Sequence, residues 1–207
     1  MSHDDSHATS GTRVPTVPIF HRVLGDRLDR TFPGSQTIHV AMGCFWGAEK
    51  LFWQLDGVML TAVGYMGGHT DAPTYRQVCS GLTGHAETVR LTYDPHRIST
   101  REVLTTFVEN HDPTQGMRQG NDVGTQYRSA LWCTTRDQFD TATEILRSYG
   151  TALARAGYPP VTTTVEMADG HEFHLAEPEH QQYLAANPGG YCPVHATGVR
   201  CSGPQEG

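Results

Sequence analysis

Short stretches in which apolar and polar residues alternate are separated by segments in which apolar residues recur every three or four positions. The first pattern is typical of half-buried strands, and the second is typical of amphipathic helices. The alternating stretches predict strands at residues 38–42, 58–65, 87–93, 129–134 and 161–167. The other segments predict helices at residues 48–55, 99–110, 136–156 and 179–186.

The order of these elements indicates the fold class. Strands follow one another directly at one point and are otherwise separated by helices, so local strand pairing is mixed with helical crossovers. This order predicts an α+β or mixed α/β fold, a two-layer sandwich in which helices flank a mixed sheet. Ser99 and Glu102 form a capping-box signature at the start of the second helix. Periodicity is lost beyond residue 189, which predicts a loop-rich C-terminal tail.

Composition divides the chain of 207 residues into three parts. Residues 1–34 are predicted to be a flexible arm and an extended wrap, residues 35–188 the domain that carries the candidate catalytic residues, and residues 189–207 a mobile tail. The start of the chain lacks the pattern of a signal peptide, and no stretch reaches the roughly 18 apolar residues of a membrane-spanning helix. We therefore expect a cytoplasmic protein, in which the five cysteines are thiols. The net charge of −7 disfavours a nucleic-acid partner.

The candidate nucleophile is Cys44, in the sequence Gly-Cys-Phe-Trp-Gly between a predicted strand and a predicted helix. Free backbone N–H groups and the helix dipole favour an anion at such a position, so we expect the pKa of the thiol to fall. Phe45 and Trp46 can wall an apolar pocket beside the sulfur. The alternative is an inert cysteine of the core, because free cysteines are usually buried.

A candidate proton donor is Glu87, in the sequence Thr-Gly-His-Ala-Glu at the start of a mostly apolar strand. Desolvation there is expected to raise the pKa of the carboxyl toward neutrality. The polar loop at residues 119–129 can present Asp122 and Tyr127 to the same site, although Asp122 could instead cap a turn. Cys192 follows Tyr191 in the tail, nine residues before Cys201.

These residues belong to six motifs that occur in order: GCFWG, GYMGG, TGHAE, HDPT, GNDVGTQYRS and EPEHQQYL. From about residue 36 to residue 201 the chain resembles the A-type peptide methionine sulfoxide reductases. The resemblance implies a monomer with a mixed α/β fold that reduces the S epimer of methionine sulfoxide, free or in proteins. It also implies thioredoxin as the external reductant, with no bound cofactor and no metal.

The same resemblance assigns a role to each candidate residue. Cys44 is implied as the nucleophile that becomes a sulfenic acid, and Glu87 as the donor of a proton to the sulfoxide oxygen. Cys192 and Cys201 are implied as the first and second recycling cysteines of a disulfide relay. The implied substrate-binding residues are Phe45 and Trp46 for the methyl group, Tyr75 and Tyr127 for the oxygen, Asp122 for polar groups, and Tyr191.

Two other functions use some of the same features. A cysteine peroxidase would share the sulfenic acid and its resolution, and a non-catalytic module could bind oxidised methionine between Phe45 and Trp46. Cys79 and Cys133 are predicted to be structural thiols, and His85 a polar scaffold for its loop. The histidines at residues 171 and 174 lack the spacing of a zincin helix, and the chain has no Cys-x-x-Cys pair, so no metal site is predicted.

Overall fold

The computed structural model describes residues 19–191 and 195–201. The strands are β1 (Gln36–Met42), β2 (Val58–Met66), β3 (Ala86–Tyr93), β4 (Arg118–Gln119), β5 (Asp122–Val123), β6 (Ser129–Cys133), β7 (Thr164–Met167) and β8 (His174–Leu175). The helices are α1 (Phe45–Trp53), α2 (Tyr75–Cys79), α3 (Thr100–Glu109), α4 (Arg136–Arg155) and α5 (Tyr183–Ala186), with a 3₁₀ turn at Thr125–Tyr127.

Six strands form a mixed sheet in the order β7-β6-β1-β3-β2-β8, and β4 pairs with β5 in a separate hairpin. β7 runs parallel to β6, and the other neighbouring strands of the sheet are antiparallel. β1 and β3 are central neighbours, with Val40 opposite Val89. Because these two strands run in opposite directions, the end of β1 lies beside the start of β3. Cys44 and Glu87 are therefore brought together at the same end of these two central strands.

Helices α1, α3 and α4 cover one face of the sheet. Alternate residues of β1, beginning with Ile38, point toward this face and are buried against the helices, as the period of two requires. The opposite face is covered by non-helical segments, which contribute Ile19, Leu28, Phe32, Ala168 and Phe173 to two smaller apolar clusters. The predicted fold class, a mixed sheet flanked by helices, is confirmed. Among the described residues, no helix is both long enough and apolar enough to cross a membrane.

Several predicted boundaries need correction. The helix predicted at residues 48–55 begins at Phe45, so Cys44 is its N-cap. The strand predicted from residue 161 begins at Thr164, because Thr162 donates its N–H to the carbonyl of Pro113 rather than to the sheet. Only Tyr183–Ala186 of the helix predicted at residues 179–186 is helical. Gln182, just before it, has a φ of +49°, which breaks the helix.

The sequence did not predict four short elements: strand β8, the 3₁₀ turn, helix α2 and the β4–β5 hairpin. Helix α2 has five residues and is too short to show a helical period, although Thr74 and Gln77 form a capping box at its start. The β4–β5 hairpin has two residues in each strand and lies in the segment predicted to be a loop. Helix α2 and the hairpin lie beside the candidate site.

Candidate active site

Cys44 lies at the junction of β1 and α1 and is 9% exposed. The preceding Gly43 has a φ of +96°, and a Cβ atom there would lie 2.8 Å from the side chain of Gln119. Glycine therefore allows strand β4, which carries Gln119, to approach the residue before the cysteine closely. In the part of the chain that the structure describes, no hydrogen bond from the Cys44 side chain caps the helix, but the backbone N–H groups of Trp46 and Gly47 in its first turn are close enough to favour the ionised form of the sulfur.

Burial raises the pKa of the Cys44 thiol well above its usual range, and the negative charge of Glu87 raises it further. The N–H groups of Trp46 and Gly47 act in the opposite direction but do not outweigh burial. The lowered pKa predicted from the sequence is therefore wrong for the protein without substrate. The sequence indicates the helix start, but it does not show how deeply the sulfur is buried.

Glu87 lies on β3 and is 2% exposed. Its carboxylate accepts a hydrogen bond of 2.9 Å from the backbone N–H of Phe45, the residue next to Cys44. Burial raises the pKa of Glu87 to about 8, against the lowering effect of the Phe45 N–H, and Asp122 adds to the rise. The carboxyl is therefore mostly protonated at neutral pH, as predicted from the sequence.

Aromatic rings form a cage beside Cys44. The rings of Trp46 and Tyr183 stack with centroids 3.9 Å apart, and the ring of His180 lies 4.4 Å from that of Tyr75. The indole N–H of Trp46 donates to Nδ1 of His180 at 3.3 Å. Phe45 is 1% exposed and contacts Trp46, Tyr75 and His180. The predicted pair of pocket aromatics is thus part of a larger apolar wall.

Three residues around this cage were not predicted to be functional: Glu177, His180 and Tyr183. The carboxylate of Glu177 accepts hydrogen bonds from the hydroxyl of Tyr65 at 2.8 Å and from the backbone N–H of Tyr75 at 2.7 Å. All three belong to the EPEHQQYL motif. In the sequence, the histidine and the tyrosine of this motif lie among carboxyl and amide side chains, and this was the available signal of a functional role. Their contacts with Trp46 were not predictable, because they span more than 130 residues of sequence.

The polar side of the site is formed by Tyr75, Tyr127 and Asp122. Burial raises the pKa of both tyrosines, and the charge of Glu87 is the second cause in each case, so the phenols stay protonated donors near this carboxyl. One oxygen of Asp122 accepts from the hydroxyl of Tyr191 at 3.1 Å, and the other is buried without a partner among the described residues. Asp122 also raises the pKa of Cys44. The structure thus brings these predicted residues together around the sulfur.

The other cysteines differ in their surroundings. Cys192 lies outside the described residues. Cys201 lies against α3, where its backbone N–H donates to Glu109 at 2.6 Å. Cys133 is buried in β6, and burial raises its pKa to about 12, as expected of a structural thiol. For Cys79 the same role stays a prediction: its side chain is exposed, unlike the buried thiol expected, and forms a hydrogen bond with Tyr75.

The predicted scaffold role of His85 agrees with its contacts. Its Nδ1 accepts from the N–H of Gly68 at 3.1 Å, and its Nε2 lies 2.8 Å from the carbonyl of Thr70. His85 therefore fixes the loop that leads from β2 to α2. Within residues 19–191 and 195–201, no group of three or more His, Cys, Asp or Glu side chains could hold a metal ion.

Comparisons with known proteins agree with this geometry. The family model for peptide methionine sulfoxide reductase matches residues 36–202. The peptide methionine sulfoxide reductase MsrA of Corynebacterium kroppenstedtii is 56% identical over 188 residues, which cover 89% of this chain and 86% of the relative. The structure of methionine sulfoxide reductase A of Corynebacterium diphtheriae is 48% identical, with a TM-score of 0.80 and 91% coverage of both chains.

A more distant solved structure shares the same fold. The structure of Mxr1 from Saccharomyces cerevisiae in reduced form is 34% identical, with a TM-score of 0.72, covering 83% of this chain and 96% of that chain. The family match covers most of the chain and includes every candidate residue of the site. The chain therefore belongs to the peptide methionine sulfoxide reductase family and is an oxidoreductase of its A type, MsrA.

Proposed function

We propose that this enzyme reduces the S epimer of methionine sulfoxide, in proteins and as the free amino acid, through a sulfenic acid on Cys44. The observation that carries the proposal is the buried carboxyl of Glu87, which bonds to the N–H of Phe45 at 2.9 Å. An acid of pKa about 8 beside a cysteine can hold a proton at neutral pH and donate it to a substrate.

In the first step the Cys44 sulfur attacks the sulfur of the sulfoxide while Glu87 donates a proton to the sulfoxide oxygen, and the proton that the Cys44 thiol loses replaces the one that Glu87 has given. Protonation of Glu87 also removes the negative charge that opposes ionisation of Cys44. Oxygen passes from the substrate to Cys44, which becomes a sulfenic acid, and methionine leaves. The substrate sulfur gains two electrons and the Cys44 sulfur loses two. Tyr75 and Tyr127 donate hydrogen bonds to the oxygen during this transfer.

Epimer selectivity follows from the difference between the two sides of the site. Phe45 and Trp46 receive the ε-methyl group, because an apolar wall offers no hydrogen bond to an oxygen. The oxygen then points toward Glu87 and the two tyrosines, and Asp122 and Tyr191 receive polar groups of the substrate. In the R epimer the methyl group and the oxygen would occupy exchanged positions. The oxygen would then face the apolar wall and have no hydrogen-bond partner.

A relay then restores the enzyme. The thiol of Cys192 attacks the sulfenic acid of Cys44, water leaves and a disulfide forms. Cys201 attacks this disulfide at Cys192, which frees Cys44 and makes a disulfide between the two tail cysteines. Thioredoxin reduces the tail disulfide by exchange with its own dithiol. In support, the relative Mxr1 has also been solved in complex with Trx2.

Several features of the proposal come from the sequence alone and stay predictions. They are the monomeric state and the lack of a bound cofactor, which the resemblance implies, and the cytoplasmic location and the division at residues 34 and 188 into arm, catalytic domain and tail, which follow from the composition of the chain. In the described part of the predicted mobile tail, Thr197 and Cys201 form hydrogen bonds to Tyr149 of α4, to Tyr158 just after it, and to Glu109 of α3.

The test is NADPH consumption with thioredoxin and thioredoxin reductase, measured separately with the S and R epimers of a methionine sulfoxide derivative. Turnover of the S epimer alone is expected. Faster turnover of hydrogen peroxide than of either epimer would favour a cysteine peroxidase. Binding of the sulfoxide without turnover, with Cys44 still reduced, would favour a non-catalytic binder. A Cys192→Ser variant is expected to release one equivalent of methionine and then stop.

A further inference from the structure

Near the end of the described chain, residues 197–201 contact helix α4, the residues just after it, and the end of helix α3. The hydroxyl of Tyr158 donates to the carbonyl of Thr197 at 3.0 Å. The hydroxyl of Tyr149 lies 2.7 Å from that of Thr197 and donates to the carbonyl of Val199 at 3.0 Å. The segment therefore has a defined place on the surface of the helical layer.

Glu109 fixes the end of this segment. One oxygen of its carboxylate accepts the backbone N–H of Cys201 at 2.6 Å, and the other accepts from the guanidinium of Arg200 at 2.7 Å. The side chain of Glu109 is only 12% exposed. Hydrogen bonds to a carboxylate shielded from water are among the stronger ones in proteins.

The position of Glu109 in its helix is unfavourable in itself. It is the last residue of α3, where the helix dipole disfavours a negative charge, and the last turn contains no basic residue. The contacts with Arg200 and Cys201 offset this cost. The carboxylate thus acts mainly on the tail and not on its own helix.

Cys201 is held with its sulfur against the helical layer. The side chain is half-buried, packs against the main core and bonds to Thr105 of α3. Burial raises the pKa of its thiol, and Glu109 adds to the rise. A thiol that attacks a disulfide must present its sulfur to the partner sulfur. The sulfur of Cys201 is partly covered by the core and bonded to Thr105, so it has to leave these contacts before it can react.

We propose that Glu109 is a positioning residue for recycling, which docks Cys201 on α3 in the reduced enzyme and must release it before the second exchange. The inference rests on the proposed relay. In that exchange the Cys201 thiolate attacks Cys192 of the disulfide between Cys44 and Cys192. The bond between Cys192 and Cys201 forms, the bond to Cys44 breaks, and Cys44 takes up the proton that Cys201 lost. Release from Glu109 therefore sets how quickly Cys201 reacts.

The experiment compares the parent protein with Glu109→Gln at pH 7. The rate of alkylation by iodoacetamide is measured for each cysteine by peptide mass spectrometry. Alkylation of Cys201 is expected to be roughly tenfold faster in the variant, the size of one lost charge-assisted hydrogen bond. Because the charge of Glu109 also raises the pKa of this thiol, the rates are compared at alkaline pH as well, where the thiol is ionised in both proteins, and the difference is expected to persist there. A difference that disappears at alkaline pH would assign the effect to charge alone and overturn the docking role. Alkylation of Cys133, which is buried in β6, is expected to stay at the parent rate. Faster alkylation of both would indicate general unfolding and would overturn the proposal.

A second measurement uses one equivalent of methionine sulfoxide without external reductant. Methionine is expected to form at the parent rate, while the disulfide that contains Cys201 forms several times faster in Glu109→Gln. Unchanged rates for Cys201 in both measurements would overturn the docking role. Absence of methionine in the parent would instead refute the proposed function, and the alkylation rates would still test the docking.

Two control variants test whether the contact between Glu109 and Cys201, and not another charge or contact, is responsible for the effect. Asp140→Asn removes an equal charge from α4, where Asp140 pairs with Arg136 and not with the described part of the tail, and parent rates are expected. Arg200→Gln removes a partner that is 85% exposed, so it is expected to change the rate for Cys201 less than twofold. A tenfold effect in Asp140→Asn would show that net charge, and not docking, controls the thiol.

Discussion

Two buried carboxyl groups, one in the middle of helix α1 and one beside its first turn, differ in the roles that we propose for them. Glu49, on the helix itself, is 0% exposed, and Glu87, beside the first turn, is 2% exposed. Burial raises the pKa of Glu49 to about 7 and that of Glu87 to about 8. Similar depth and similar pKa values therefore do not distinguish a structural carboxyl from a catalytic one.

The difference lies in the hydrogen-bond partners. Glu49 accepts from the hydroxyl of Thr61 at 3.0 Å and from the backbone and side-chain N–H groups of Gln182 at 2.8 and 2.6 Å. The hydroxyl of Thr61 in turn lies 2.8 Å from the ring of His21. In the described part of the chain, Glu87 has one such donor, the N–H of Phe45.

This difference determines what each group can do. The network around Glu49 joins α1, β2, the segment before α5 and the start of the described chain, so its role is to hold elements together. Within the described residues, Glu87 has a single donor to stabilise its ionised form and so retains a proton at neutral pH, as the proposed acid role requires. A buried carboxyl with many donors belongs to the framework, whereas one with few donors beside a nucleophile is suited to acid catalysis.

The largest effect is expected at the catalytic member of the pair. Glu87→Gln keeps the shape of the side chain and an acceptor for the Phe45 N–H but removes the acid. The single-turnover rate of methionine formation should fall by about 10²- to 10⁴-fold. Thermal unfolding of the variant, measured in parallel, should stay close to that of the parent. An unchanged rate would refute the role of Glu87 as the proton donor.

The structural member of the pair should respond in stability. Glu49→Gln turns one acceptor into an NH₂ group that faces the donors of Thr61 and Gln182. One or more buried groups lose their partner, so the free energy of unfolding should fall by about 1–3 kcal/mol. Urea unfolding measures this change, while the single-turnover rate should stay within a few-fold of the parent. Loss of rate at full stability would remove the distinction between the two carboxyls.

The pH dependence of kcat/KM distinguishes the two carboxyl groups further. Glu87 donates a proton only when it is protonated, and its pKa is about 8. The value of kcat/KM should therefore fall as the pH rises above about 8, approaching a tenfold loss per pH unit. This descending limb should be absent in Glu87→Gln and present in Glu49→Gln. A limb that persists in Glu87→Gln would assign the titration to another group.

The sequence predicts features that depend on neighbouring residues. The capping box of Ser99 and Glu102 forms as predicted, with a distance of 2.9 Å from the Ser99 N–H to the Glu102 carboxylate. The raised pKa of Glu87 was also predictable, because an apolar strand implies burial. The network of Glu49 with Gln182 spans 133 residues, and neither periodicity nor spacing reveals such a contact. The raised pKa of Cys44 escaped prediction for the same reason.

The smallest effect concerns a cage residue that the sequence did not reveal. The ring of Tyr183 stacks on that of Trp46 at 3.9 Å, behind the proposed site of the methyl group. Tyr183→Leu removes the stack, which contributes about 0.5–1.5 kcal/mol, so KM for the S epimer should rise about 2- to 10-fold with little change in kcat. Tyr183→Phe keeps the ring and should behave as the parent. If the leucine variant kept the parent KM, Trp46 would be held by His180 and Phe45 alone. If the phenylalanine variant lost affinity as well, the hydroxyl and not the ring would be the group that matters.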